Sequence, residues 1–170
     1  MATDKLVPVY LPQRVRKNWL GLEIVPSDAD LGVAEKVLRD AFPQLLRIER
    51  PIKGGTDKEH YHVTVAYGIE EAQLGAAADA LRAEQLTESD LHLERTADGG
   101  PVVKLIHKSP EATTVFVLLE CAESPRFEAA RDRICARFLP VGQTDYKKHR
   151  PHVTALYGIL PSPPKNESVK

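Results

Sequence analysis

The sequence predicts an α+β fold: duplicated strand–helix–strand units, with antiparallel or mixed sheets lining a central cleft and helices outside. Two observations lead there, a nine-residue repeat and the same order of elements before each copy. Residues 61–69 (YHVTVAYGI) and 151–159 (PHVTALYGI) agree at six of nine positions, and their histidines lie 90 residues apart. Such agreement in one register indicates an internal duplication. We therefore expect residues 1–160 to form a single bilobal domain whose lobes share pseudo-twofold symmetry.

The first half contains two predicted strands, a helix and then the first nonamer. The strands are expected near Leu6–Leu11 and at Trp19–Val25. Asp30–Phe42 carries apolar residues at helical spacing, which predicts a helix with one buried face. The first nonamer follows as a further strand.

From Trp19–Val25 onward the first half runs strand, helix and nonamer, and the second half repeats this order. Thr113–Cys121 is rich in β-branched and aromatic residues, which predicts a strand. Pro125–Phe138 is a predicted helix, because a Ser-Pro pair supplies an N-cap followed by proline at the first helical position. The second nonamer then follows as a strand.

The chain between the halves holds a predicted helix, Glu70–Ala83, and a predicted hairpin. The hairpin pairs Leu91–Thr96 with Val102–His107 around the turn at residues 98–100. The tail, residues 161–170, is proline-rich and polar, and we expect it to be disordered.

The composition is that of a soluble globular protein: 170 residues, 42% hydrophobic and 28% charged. The net charge of −1 provides no global field that would attract nucleic acid or a membrane surface. Cys121 and Cys135 lie in apolar stretches and are predicted to be buried free thiols. Neither an apolar leader nor a run of membrane-spanning length is found, so we expect a cytoplasmic protein.

The repeated motif carries the chemistry. Because side chains alternate in a strand, His62 shares a face with Thr64, and His152 shares one with Thr154. A twofold axis between the lobes would make these faces confront each other. One neutral imidazole could then take a proton and one imidazolium give it, since histidine has a pKa of about 6.5. Threonine hydroxyls could donate to phosphate oxygens. The pattern favours phosphodiester cleavage.

Paired His-x-Thr motifs resemble the signature of the two-histidine phosphoesterase superfamily. This superfamily includes the 2′-5′ RNA ligase-like proteins, cyclic nucleotide phosphodiesterases and phage enzymes that degrade cyclic oligonucleotide immune signals. The match lies at residues 62–64 and 152–154, each followed by a hydrophobic residue. The resemblance implies a bilobal fold, no metal or other cofactor, and 2′,3′-cyclic or 2′-5′ phosphodiester substrates.

The expected partner is a nucleotide or short oligonucleotide. It is either a 2′,3′-cyclic phosphate at an RNA or nucleotide end, or a linear 2′-5′ or cyclic signalling oligonucleotide such as an immune second messenger. The near-zero net charge argues against long RNA, which requires an extended basic surface. A non-catalytic module that sequesters a nucleotide is the alternative, and no feature indicates a protein partner.

Several further residues are candidates for binding substrate. Lys148 and Arg150, with Lys147, precede the second motif and could form a positive rim that holds phosphate. The alternative is an ordinary solvated loop. Tyr10 and Trp19 are candidates for stacking on a base.

His60 lies two residues before His62 on the same predicted face. It could line the cleft and contact substrate. It could also bind a metal with His62 and with His149 or His152, because His-x-His on a strand is a ligand pattern. We predict no metal. A purely structural role for the repeated histidines is a further alternative.

Tyr67 and Tyr157 lie five residues beyond their histidines and are predicted to face the core of straight strands. The glycines that follow, Gly68 and Gly158, are predicted to end the strands.

Charges near each motif suggest how the two histidines divide the work. Asp57 and Glu59 precede His62, whereas residues 147–150 are basic and precede His152. Because nearby negative charge favours an imidazolium, we predict His62 as the acid and His152 as the base.

Overall fold

The computed structural model describes residues 5–11, 18–50, 61–143, 147 and 150–162, and only the backbone of residues 10 and 11. These residues form three α-helices and one antiparallel seven-stranded sheet, so the α+β class is confirmed. The strands are β1 Pro8–Leu11, β2 Trp19–Glu23, β3 Arg47–Glu49, β4 His62–Tyr67, β5 Val103–Ile106, β6 Thr114–Glu120 and β7 His152–Ile159. The helices are α1 Asp28–Ala41, α2 Leu74–Ala83 and α3 Pro125–Phe138. None of the described helices is long and apolar enough to cross a membrane.

Local sequence explains where the helices begin. α3 has the bounds that the sequence predicts, and the Ser124 hydroxyl caps it by accepting a hydrogen bond from the Phe127 amide at 3.1 Å. α1 begins at Asp28, earlier than predicted, because Ser27 accepts from the Asp30 amide in the same way. The predicted helix Glu70–Ala83 is a short 3₁₀ turn followed by α2.

The two nonamers form the middle of the sheet. The strand order is β1-β2-β4-β7-β6-β5, and β3 pairs with the far end of β7. β4 and β7 are antiparallel neighbours, with Val63 opposite Val153. One face of the sheet is buried against the helices: Val115, Val117 and Leu119 alternate along β6 with half-buried residues.

Both cysteines are buried free thiols, as predicted. Desolvation raises the pKa of Cys121 to about 12 and that of Cys135 to about 11. Because the thiolate is the reactive form, neither sulfur is a nucleophile at neutral pH.

The predicted hairpin between residues 91 and 107 is wrong in its first strand. Its turn forms, and Thr96 donates its amide hydrogen to the Gly100 carbonyl at 2.8 Å. However, β5 pairs along its whole length with β6. The segment Leu91–Thr96 makes only isolated bridges, one of them from Leu93 to Cys121. β6 is a longer strand whose residues alternate between buried and half-buried, and β5 pairs with the edge of β6 that faces away from β7.

β4 contains a bulge directly after its His-x-Thr motif. Gly21 lies opposite Thr64, but the next residue back along β2, Leu20, lies opposite Ala66. Val65 is therefore the extra residue. An extra residue reverses the alternation of side chains beyond it.

β7 contains a bulge at the equivalent position. Leu118 lies opposite Thr154, and Val117 lies opposite Leu156. Ala155 is the extra residue there, 90 positions after the bulge in β4. The side-chain alternation is reversed beyond this point as well.

The bulges overturn the prediction that both tyrosines belong to the core. Tyr67 is 44% exposed, and Tyr157 is half-buried. Gly68, with a φ of 106°, ends β4 as predicted. Gly158 instead lies inside β7, so the prediction that it ends the strand is wrong. Glycine fits there because a Cβ would come within 2.9 Å of the Leu38 and Leu45 methyl groups.

Candidate functional site

The two His-x-Thr motifs lie side by side at the centre of the sheet. Val63 and Val153 are opposite each other and fully buried. Their neighbours along the two strands therefore occupy the other face, where the antiparallel register sets His62 beside Thr154 and Thr64 beside His152. We call these four residues the HxT patch. Side chains directly opposite have Cβ atoms about 4.5–5.5 Å apart, and diagonal ones about 7–8 Å. The two histidines are diagonal neighbours.

His62 is half-buried and stacks on an indole. Its ring lies parallel to that of Trp19, with centroids 3.8 Å apart and an interplanar angle of 3°. The contact depends on Gly21, because a Cβ at that position would lie 2.9 Å from His62 Cδ2 and 2.6 Å from the Val63 carbonyl oxygen. Trp19 therefore lies against a predicted catalytic residue. Its role in base stacking stays a prediction.

His152 is fixed by a backbone carbonyl. Its Nδ1 lies 2.9 Å from the carbonyl oxygen of Arg150. A carbonyl oxygen can only accept, so the imidazole Nδ1–H is the donor. In the neutral ring the proton is then on Nδ1, and the lone pair on Nε2 is available to accept another.

Arg150 is engaged by carboxylates and by the backbone. Its guanidinium lies 2.8 Å from a Glu94 oxygen and 4.0 Å from a Glu120 oxygen, and its Nε donates to the Cys121 carbonyl at 3.2 Å. The hydrogen bond to Glu94 raises the pKa of Arg150. The prediction that Arg150 binds phosphate stays untested.

Two glutamates beside the motifs were missed by sequence reasoning. Glu23 ends β2 directly opposite His62, and Glu120 ends β6 directly opposite His152. A Leu-Glu pair ends both strands, and this was the signal available in the sequence. Each carboxylate lies where it can help to orient the neighbouring imidazole.

Other candidates lie partly or wholly outside the described residues. His60, Lys148 and His149 are in this group, and of Tyr10 only the backbone is described, in β1 opposite Leu20. Lys147 is exposed. Among the described residues, no group of three or more histidine, cysteine, aspartate or glutamate side chains could hold a metal ion.

A cleft of about 1010 Å³ lies at the end of β2 and the start of α1. Glu23 lines it, but none of the HxT patch does. Apolar residues such as Leu6, Ile24 and Leu91 alternate along its walls with charged ones. Glu23 therefore links this cleft to the patch, since it also lies opposite His62.

The HxT patch has two imidazoles and two hydroxyl donors, and a glutamate on the neighbouring strand lies opposite each histidine. The imidazoles differ, since one is stacked on an indole and the other is held by a carbonyl. Such a set can move protons and donate hydrogen bonds to an anion. Comparison of the chain with family models, with curated proteins and with solved structures finds no match.

Proposed function

We propose that this chain is a metal-independent phosphodiesterase of the two-histidine kind, which hydrolyses a cyclic or 2′-5′-linked nucleotide phosphodiester. The observation that carries the proposal is the register of β4 and β7, with Val63 opposite Val153. It brings both His-x-Thr motifs onto one face of adjacent strands. The resemblance of the motifs to the two-histidine superfamily supports the same conclusion.

In the proposed reaction the neutral His152 takes a proton from a water molecule through Nε2. The water oxygen bonds to phosphorus, and the bond from phosphorus to the departing ribose oxygen breaks. The imidazolium of His62 gives its proton to that oxygen, so the hydroxyl of water ends on phosphorus and a proton on the departing ribose oxygen. The hydroxyls of Thr64 and Thr154 donate to the non-bridging oxygens, where charge develops. Proton exchange with solvent restores both rings.

The surroundings of the two rings support this division of roles. The face of an indole attracts a cation, so the stack with Trp19 favours a charged His62 ring. The hydrogen bond from Nδ1 to the Arg150 carbonyl leaves Nε2 of His152 able to accept. These contacts are independent of the charges on which the sequence-based prediction depends, and they favour the same assignment.

We also propose that the two halves are copies of one unit that face a shared cleft over the HxT patch. Three observations support this. Each half ends a strand with a glutamate opposite its histidine, carries a bulge one residue after its threonine, and begins its helix with a serine cap. A substrate phosphate would lie over the junction of β4 and β7.

The substrate is proposed to be short. The net charge is −1, Glu23 and Glu120 lie opposite the two histidines, and Arg150 is paired with Glu94. This is unsuited to long nucleic acid, whose binding needs an extended basic surface. The two substrate classes, a terminal 2′,3′-cyclic phosphate and a signalling oligonucleotide, are distinguished by experiment.

The test is incubation with 2′,3′-cyclic nucleotides, 2′-5′ oligonucleotides and cyclic dinucleotides in the presence of EDTA, followed by chromatography. We expect one class to yield a new product, and the double variant His62→Ala/His152→Ala to yield none. Substrate that binds but stays intact would favour the non-catalytic module. Activity that EDTA abolishes and Zn²⁺ or Mn²⁺ restores would move His60 and His62 to metal ligation.

A further inference from the structure

We propose that Arg150 is a positioning residue, held by Glu94 and the Cys121 carbonyl so that its own carbonyl selects the tautomer of His152. The effect of Arg150 on catalysis rests on the proposed function. The effect of Arg150 on the His152 tautomer does not rest on it, because the tautomer can be measured without a substrate.

Two hydrogen bonds attach the main chain before His152 to Cys121, the residue that follows β6. The Cys121 amide donates to the Pro151 carbonyl at 2.9 Å. The Cys121 carbonyl accepts from Arg150 Nε at 3.2 Å. Cys121 is itself fully buried, so both bonds join residues 150 and 151 to a fixed part of the sheet.

The carboxylate that holds the guanidinium is tied to the same strand. Glu94 donates its amide hydrogen to the Glu120 carbonyl at 2.8 Å. Its side chain meets Arg150 at 2.8 Å, and both side chains are only about a third exposed, 36% and 38%. The pair is therefore partly shielded from solvent. Glu120, at 4.0 Å, adds a second negative charge.

The attachment of Arg150 fixes the position of its own carbonyl oxygen. The Arg150 carbonyl oxygen lies 2.9 Å from His152 Nδ1. If the guanidinium is removed, the peptide group can rotate away, and the neutral ring can then protonate Nε2 instead. A ring with its proton on Nε2 cannot accept one there. Loss of the anchor should therefore lower the competent fraction of the enzyme and leave binding of the phosphate unchanged.

The direct test is ¹⁵N NMR of the imidazoles at a pH where His152 is neutral, with its signals assigned by their loss in His152→Ala. We expect the Nδ1–H pattern in the wild type, and a mixture with Nε2–H in Arg150→Ala and Glu94→Gln. Glu94→Gln keeps the arginine and serves if Arg150→Ala does not fold. Arg39→Ala, which breaks an exposed pair with Glu35 on α1, should match the wild type.

Two NMR outcomes would overturn the proposal: an Nε2–H pattern in the wild type, or an unchanged tautomer in both Arg150→Ala and Glu94→Gln. With an active substrate, we expect Arg150→Ala to lower kcat about tenfold at unchanged KM. This is the lower end of the loss that follows removal of a group that orients a metal-bound histidine. A raised KM at unchanged kcat would assign Arg150 to phosphate binding instead. The expected NMR result without any hydrolysis would sustain the positioning role and reject the phosphodiesterase.

Discussion

The two copies of the motif have the same three residues but different neighbours. In β2, Gly21 lies opposite Thr64, and the His62 ring extends over it to stack on Trp19. In β6, the residue opposite Thr154 is Leu118. Leucine carries a side chain at the position where the other strand has glycine, and the His152 ring has its Nδ1 at a backbone carbonyl.

This difference teaches that two identical histidines can be given different surroundings by the strand next to each, and the proposed division of roles depends on it. Acid–base catalysis by a pair needs one ring charged and one neutral at the same pH. A duplicated motif alone makes them equal. The surroundings of the two rings differ: His62 lies over Gly21 against the Trp19 ring, and His152 is hydrogen-bonded to the Arg150 carbonyl.

Removal of either histidine should have the largest effect on turnover. His62→Ala and His152→Ala should each lower turnover about a hundredfold or more, the usual scale of general acid–base catalysis. Both side chains are only half-buried, so the variants should keep their fold by circular dichroism. His92→Ala, an exposed histidine outside the patch, is the control and should keep full turnover. Wild-type turnover in either patch variant would reject the paired mechanism.

Loss of a threonine hydroxyl should have a smaller effect. Thr64→Ala and Thr154→Ala each remove a donor to a charged oxygen, worth about 1.5–3 kcal/mol, or roughly ten- to a hundredfold in turnover. The matched variants Thr64→Ser and Thr154→Ser keep the hydroxyl and should retain most activity. Equal turnover in the alanine and serine variants would show that the hydroxyls do not contact the reacting phosphate.

A methyl group at Gly21 should destabilise the fold, because it would meet His62 and the backbone beside it. Gly21→Ala forces a Cβ against His62 and the Val63 carbonyl, and overpacking of this kind costs about 1–3 kcal/mol of stability. Gly32→Ala in α1 is the matched control, since nothing lies within 4 Å of its Cβ. There alanine should stabilise the helix by about 0.5–1 kcal/mol. Urea denaturation measures both, and equal stability of the two variants would reject the close approach at Gly21.

Local signals in the sequence predicted much of the fold. The Ser-Pro pair and the stripe of Phe127, Ala130 and Ile134 give α3 its predicted bounds, because caps and helical periodicity act within a few residues. The nonamers likewise predicted β4 and β7. The faces of Tyr67 and Tyr157 could not be predicted, since they depend on bulges that only the pairing with a neighbouring strand reveals.

Only the features of the candidate site that depend on residues close together in the sequence could be predicted. Alternation gave the His-x-Thr face, but the register that sets Glu23 and Glu120 beside the histidines depends on residues about 30 to 40 positions away. Gly21 is one local indication of the site, because glycine inside a strand suggests a close approach of another group. The contact of Arg150 with Glu94 depends on a loop that propensity does not define.

The most direct test of the account is turnover against pH for the wild type and the two single alanine variants. The wild type should give a bell with two macroscopic pKa values that belong to the pair. His152→Ala removes the proposed base, so its residual activity should no longer fall at acidic pH. His62→Ala removes the proposed acid, so its residual activity should no longer fall at basic pH. Exchange of the two limbs would reverse the assigned roles. Unchanged limbs in both variants would contradict the central claim, because these histidines would then not be the titrating groups.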